Sequence, residues 1–221
     1  VCQVGGLVIR RHHSLRDAFA WIGRQAGYAV RTEVYEPAWT RARTNAEGEL
    51  EFDQARLDNR FEGPPSDPLI YGDVVVPHPE GSACLHAAAN EDGAAAAKAA
   101  DGKHRRYPAW ALPGGRLIPF SVATFGRWGK EALDFLRGSA DAVAEQNPQV
   151  ACLGHWGKVA LLTAGHTRLS VALQKENAKC LLQAGRVRGH ADFVGDSDWN
   201  DDVDDLLRDA AATAGFGGLE A

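Results

Sequence analysis

The sequence predicts an α/β protein in which a small mixed β-sheet is flanked by helices and followed by a C-terminal helical extension. Three observations predict it. Helical and strand periodicities alternate along the chain in the order helix, strand, hairpin, strand, helix, strand, helix. One strand segment, residues 69–76, is apolar on both faces and so belongs inside a sheet. Pro and Gly clusters fall between the periodic segments. The 221 residues are 45% hydrophobic and 24% charged. That composition supports the core of one medium domain plus an appendage and excludes a wholly disordered chain.

The first helix is expected over about residues 11–26, where Leu15, Phe19, Ile22 and Ala26 recur at helical spacing and Gly27 supplies a stop. Residues 28–35 read as a strand packing through Tyr28 and Val30. Thr44-Asn45-Ala46-Glu47-Gly48 is turn chemistry, with a return strand starting at Leu50 and Phe52. Residues 56–61 read as a short strand end, and the Gly63–Pro68 stretch breaks regular structure. After the central strand 69–76 comes an Ala-rich helix over about 86–106, whose weak point is Gly102. A strand over 116–124 follows the Pro113-Gly114-Gly115 turn. An amphipathic helix is expected over 129–144, ended by Asn147-Pro148, and a long one over about 156–185. Beyond Asp192 the only expected structure is a short helix near 203–212. The organisation read from this is a domain over 1–147, a helical extension over 148–190 and an acidic tail over 191–221.

The net charge of −5 is unevenly distributed. From Asp192 onward nine acidic residues face one Arg208, which leaves a mildly basic body of net +3. Such a body permits nucleic-acid binding without requiring it, and an acidic end usually reads as solvated. No apolar run approaches the ~18 residues needed to span a bilayer, so no membrane partner is expected. Four scattered cysteines, Cys2, Cys84, Cys152 and Cys180, follow the pattern of a reducing compartment rather than a disulfide scaffold. With Val at its start and no Met anywhere, the sequence is expected to be a piece of a longer protein.

Two acids at strand positions carry the chemical interest. Asp58 lies in Arg56-Leu57-Asp58-Asn59-Arg60-Phe61, and Asp73 opens the core-like run Asp73-Val74-Val75-Val76. If the two segments pair as a hairpin, both carboxylates reach one end of the sheet. Two converging carboxylates make a hard oxygen site suited to Mg²⁺ or Mn²⁺. An acid inside an apolar strand also needs a partner, because an unpaired buried carboxylate is costly. The plainer reading makes Asp58 part of a salt-bridged surface strand with Arg56 and Arg60. Further on, Lys103-His104-Arg105-Arg106-Tyr107 places Lys103 and Tyr107 at i, i+4 on one helix face. A Lys there can stabilise charge developing on a phosphodiester. The plainer reading is a basic, solvated helix end.

Leu57-Asp58, fourteen residues, Asp73, then an Ala-rich helix ending in Lys-x-x-x-Tyr together resemble a known family. It is the restriction-like endonuclease domain at the carboxyl end of early-branching, site-specific non-LTR retrotransposon polyproteins, a variant of the PD-(D/E)XK nuclease fold. The resemblance spans about residues 1–147. Gly5-Gly6-Leu7-Val8-Ile9-Arg10-Arg11-His12 with Leu15-Arg16-Asp17 looks like the family's helix after its Cys/His linker, Cys2 being the linker's last member. Pro119-Phe120-Ser121-Val122 with Thr124-Phe125-Gly126 looks like the strand and turn after the catalytic helix. The resemblance implies a restriction-endonuclease-like core and a divalent-metal-dependent DNA endonuclease that nicks target DNA for target-primed reverse transcription. It implies Asp58 and Asp73 as metal-binding and catalytic, Glu33 as an accessory metal acid, Lys103 as the catalytic lysine and Tyr107 as its neighbour. It also implies DNA contacts from Arg11, His12, Arg16, Arg105 and Arg106. Double-stranded DNA, the element RNA through the parent polyprotein, and a nuclear location follow from the same resemblance.

Val75 stands where the typical nuclease fold has its Lys, and the migration of that lysine to the helix is a feature this family shares. The chain departs from the family's pattern in three places, one being Gly102 beside Lys103, which loosens the helix. Leu57 replaces the Pro of "PD", and Ala123 stands where many relatives carry Glu. Two rival readings stay open: a catalytically inactive retroelement remnant that keeps DNA binding, and a non-enzymatic helical interaction protein in which the acids lie too far apart to share one ion. His12 and His13 read as surface or DNA-facing, and Trp110, Trp128 and Trp156 as packing residues. The long helix carries a basic side, Lys158, Arg168, Lys175 and Lys179, read as an ordinary amphipathic face. No Walker, Rossmann or nucleophile-elbow motif is present.

Overall fold

Apolar residues at Leu7, Leu15, Ala18, Phe19 and Ile22 fall on one side of helix α1 (Leu7–Gln25), and all are buried. The computed structural model describes residues 6–63, 68–112 and 114–187. The helix starts four residues before its expected boundary, because Leu7 joins the buried stripe. It stops where Gly27, at φ +84°, turns its amide back to Arg24 O. Strand β1 (Ala29–Tyr35) follows. The expected turn then appears as a two-stranded antiparallel sheet of β2 (Arg41–Thr44) and β3 (Leu50–Asp53).

Residues 56–61 form a complete strand, β4 (Arg56–Glu62), not a strand end. Its odd positions Leu57, Asn59 and Phe61 are buried, while its even positions, Asp58 among them, are half-buried or exposed. Strand β5 (Leu69–Val75) is internal, as its apolar faces predict. Strand β6 (Gly115–Ser121) completes a four-stranded sheet in the order β1-β4-β5-β6. The first two pairings are antiparallel and the last is parallel, so the sheet is mixed. A parallel neighbour needs a crossover connection, which here runs through α2 (Leu85–Asn90) and α3 (Ala94–Arg106).

The single Ala-rich helix expected over 86–106 is thus two helices. The break is at Gly93, at φ +81°, a left-handed conformation that residues with a side chain rarely adopt. Gly102 lies inside α3 without interrupting it. Helix α4 (Lys130–Gln146) ends at Asn147, whose side chain caps a one-turn helix, α5 (Pro148–Ala151), rather than only stopping the chain.

Helix α6 (His155–Val187) packs on α1 and α4. Leu169 and Leu173 lie in the same buried cluster as Leu15, Phe19, Phe61, Phe120 and Phe135, so this helix is built into the main core. Within that cluster the Phe19 and Phe120 rings stack with centroids 3.8 Å apart. A second cluster, Trp39, Leu57, Tyr71, Tyr107 and Leu117, lies beneath the end of α3. Of the three tryptophans expected to pack, only Trp128 is buried. Trp110 and Trp156 are exposed, since each sits in a short turn or helix start with little packed above it. No described helix is long and apolar enough to cross a membrane. Cys2, the acidic tail and the expected helix near 203–212 lie outside the described residues.

Candidate active site

Antiparallel register brings the two acids together. Asn59 pairs with Gly72 and Phe61 with Ile70, and one more step along the same register sets Asp58 across from Asp73. There the backbone ladder gives way to a side chain, as Val74 N donates to Asp58 Oδ2 at 2.7 Å. At this spacing the two carboxyl groups act on each other's proton affinity. Gly72, immediately before Asp73, leaves room for the Phe120 ring beneath the strand, where an added Cβ would lie 2.3 Å from a ring carbon. This close packing fixes the backbone that carries Asp73.

Lys103 reaches the pair from α3. Its Nζ lies 2.6 Å from Asp73 Oδ2, an ion pair in which the Asp73 side chain is 5% and the Lys103 side chain 24% exposed. The approach is close but off the hydrogen-bond axis, so Asp73 Oδ2 is buried without a directed hydrogen bond. The end of α3 is held by its neighbours. Arg41 Nη2 donates to the carbonyls of Arg105 and Arg106, at 2.8 Å for Arg105, which satisfies two orphan acceptors of the last turn. Tyr107, just past the helix, packs against Trp39, and Trp39 Nε1 donates to Pro108 O at 3.0 Å. Tyr71 OH donates to Glu36 Oε2 at 2.6 Å in the same cluster.

The electrostatics separate the two acids. Burial pushes the Asp73 carboxyl up to about 6, against the opposing pull of Lys103, and the charge of Asp58 adds to the rise. Burial acts on Asp58 in the same direction, but the hydrogen bond and charge of His12, the neighbouring Asp73 and the Val74 amide together hold it below the usual carboxylate range. Burial and the nearby Asp73 charge raise the Tyr107 hydroxyl. Two coupled carboxyls with diverging proton affinities, beside an ammonium in a cleft, form an arrangement typical of functional sites.

These groups line an open cleft of about 390 Å³ together with His12, His13, Glu33, Arg56 and Arg106. His12 Nε2 is 2.6 Å from Asp58 Oδ1, so this histidine supports the acid pair instead of lying on a free surface. The spacing of His12 and Arg16 on one face of α1 was the available signal for this. His13 and Arg56 line the cleft and were missed as site residues, because nothing local marks them. Glu33 lines the cleft too, but its carboxylate is engaged by cations. Arg16 Nη1 donates to Oε1 at 2.5 Å, Arg56 Nη2 meets Oε2, and His13 Nε2 lies 3.8 Å from Oε1.

Among the expected DNA contacts, Arg11 requires correction. It is buried at 5% exposure, with Nη1 donating to Asn177 Oδ1 on α6 at 2.9 Å, because its position on α1 faces that helix and not the solvent. Arg16 is half-buried between Asp17 and Glu33. Arg105 and Arg106 are exposed, Arg106 pairing with Asp53 at 3.0 Å.

Among the described residues no three His, Cys, Asp or Glu side chains are grouped to hold a metal ion by themselves. The carboxylates in this cleft that could take part in holding a cation are those of Asp58 and Asp73, the latter with Oδ2 already facing the Lys103 ammonium. Mg²⁺ and Mn²⁺ suit such a site, since one or two carboxylates commonly hold them while water and phosphate complete the shell. No protein-family model matches the chain, and no curated protein matches it.

Proposed function

We propose that this protein is a divalent-metal-dependent DNA endonuclease with a restriction-endonuclease-like core, of the kind that nicks target DNA for retrotransposon integration. One observation carries the reading: a lysine from a crossover helix meets the second of two acids that adjacent strands set across from each other. This is the juxtaposition that the resemblance of Asp58, Asp73 and Lys103 to the nuclease motif requires. A surface-charge reading of the acids has no reason to produce it.

Asp58 and Asp73 would hold Mg²⁺ or Mn²⁺. When bound, the ion supplies positive charge that offsets the negative charge gathering on the scissile phosphate. Lys103 brings an ammonium to the same place, where it can donate to a non-bridging phosphate oxygen or orient the attacking water for in-line displacement. His12 fixes the orientation of the Asp58 carboxylate through its 2.6 Å contact. Tyr107 walls the cleft beside Lys103 from within the Trp39 cluster. Double-stranded DNA is the substrate on this reading, and the element RNA is a partner of the parent polyprotein.

The test is plasmid nicking with Mg²⁺ by the protein and its Asp73→Ala and Lys103→Ala variants. The expected result is conversion of supercoiled to nicked plasmid, reduced about a hundredfold or more in each variant. Equal background cleavage by all three would identify an inactive copy that keeps the fold.

A further inference from the structure

Glu33 is the one residue with a side chain that takes a positive φ among the described residues, at +56°. It stands on edge strand β1, where Thr32 pairs with Asn59 and Val34 with Leu57, so Glu33 falls across from Asp58. At that point the paired register lapses, and the carboxylate turns into the cleft. A strained backbone beside a candidate catalytic acid calls for a reason.

The cations around Glu33 supply it. Arg16 donates through Nη1 to Oε1 at 2.5 Å while Asp17 holds its Nη2 at 2.8 Å, so the guanidinium is aimed before any ligand arrives. Asn59, fully buried, donates through Nδ2 to Arg16 O at 3.3 Å and ties that turn of α1 to β4. Arg56 meets the other carboxylate oxygen, and His13 stands 3.8 Å away. Two guanidiniums converging on one anion from separate elements is the geometry of oxyanion recognition, and carboxylate and phosphate share it. A phosphodiester and a carboxylate each offer one negative charge and two accepting oxygens, so the same pair of guanidiniums can hold either.

Resting on the nuclease reading above, we propose that Arg16, Arg56 and His13 form a second phosphate subsite, receiving a DNA backbone phosphate that flanks the scissile one, and that Glu33 occupies it until DNA displaces the carboxylate. The cleft then holds two phosphate positions, one at Asp58, Asp73 and Lys103 and one at Arg16 and Arg56, and the strand is read across both. Glu33 acts as a resident competitor rather than as a metal acid.

The experiment measures binding of a short double-stranded DNA in Ca²⁺ across a salt series. It compares the protein with Glu33→Gln, Arg56→Ala and the double variant, each checked for a cooperative melt. Glu33→Gly, which suits the positive φ, repeats the measurement should Glu33→Gln melt early. The expected result is about tenfold tighter binding by Glu33→Gln, with a salt slope steeper by roughly one released counterion. The gain should vanish in the Arg56→Ala background. Unchanged or weaker binding by Glu33→Gln overturns the subsite and leaves the nuclease reading standing. So does an equal gain with and without Arg56, which would mean only that a negative charge had been removed. Absence of DNA binding by every protein overturns both readings together.

Discussion

Asp73 is placed to make the stability of this protein depend on pH in an unusual direction for an acid. Its carboxyl is raised by burial from 3.8 to about 6. Below about pH 4 the folded and unfolded chains both hold the proton. Between about pH 4 and 6 the folded chain keeps it and the unfolded chain has released it, so stability falls as pH rises through this window and then levels off for this group. The full loss is on the order of a few kcal/mol, since each tenfold difference in proton affinity between the two states is worth about 1.4 kcal/mol. Asp58 acts with the opposite sign at lower pH, where protonation forfeits its bonds to His12 and the Val74 amide. Urea unfolding in the absence of divalent metal should show the decline between about pH 4 and 6, and Asp73→Asn should flatten it. A wild-type profile that rises through the same window would refute this assignment.

At the scale of elements, two glycines of the crossover make opposite predictions. Gly102 sits in α3 with the nearest atom to an added Cβ at 4.0 Å, so Gly102→Ala should stabilise by about 0.5–1 kcal/mol. Gly93 also has space around it but sits at φ +81°, so Gly93→Ala should cost about 1 kcal/mol or more. Thermal or denaturant unfolding of the two variants distinguishes them. The pair also shows where local reading reached its limit. Both residues are glycines in an Ala-rich run, and helix propensity marked Gly102 as the weak point. The chain turns at Gly93 because α2 and α3 must fold back toward β6, a demand set by the parallel pairing and invisible in a helical window. Likewise Arg11 and His12 are adjacent on α1, both expected to face DNA. One points at Asn177 on α6 and the other at Asp58 on β4.

Over the whole molecule, α6 adds to a core that the sheet shares with α1 and α4. Leu173 is fully buried within the main cluster, and Leu169 is nearly so. Leu173→Ala should therefore cost about 2–5 kcal/mol, the range for deleting a large buried aliphatic side chain. Equilibrium unfolding should also remain a single transition, because the helix shares its core with α1 and α4. A separate early transition would show that residues 148–187 form an independent appendage.

The alternation of helical and strand periods and the internal position of 69–75 were legible because each is encoded within a few neighbouring residues, whereas the pairing of the Asp58 and Asp73 segments was a condition that the fold met. The sequence alone determined an α/β chain with a mixed sheet and singled out two acids and one lysine as candidates for its chemistry. Tertiary structure alone decided which side chains surround them: His12 beneath Asp58, Arg16 and Arg56 on Glu33, and Arg41 clasping the end of α3. These contacts join residues far apart in the chain across different elements. Their geometry depends on how the layers pack, which no local pattern of hydrophobicity or charge specifies.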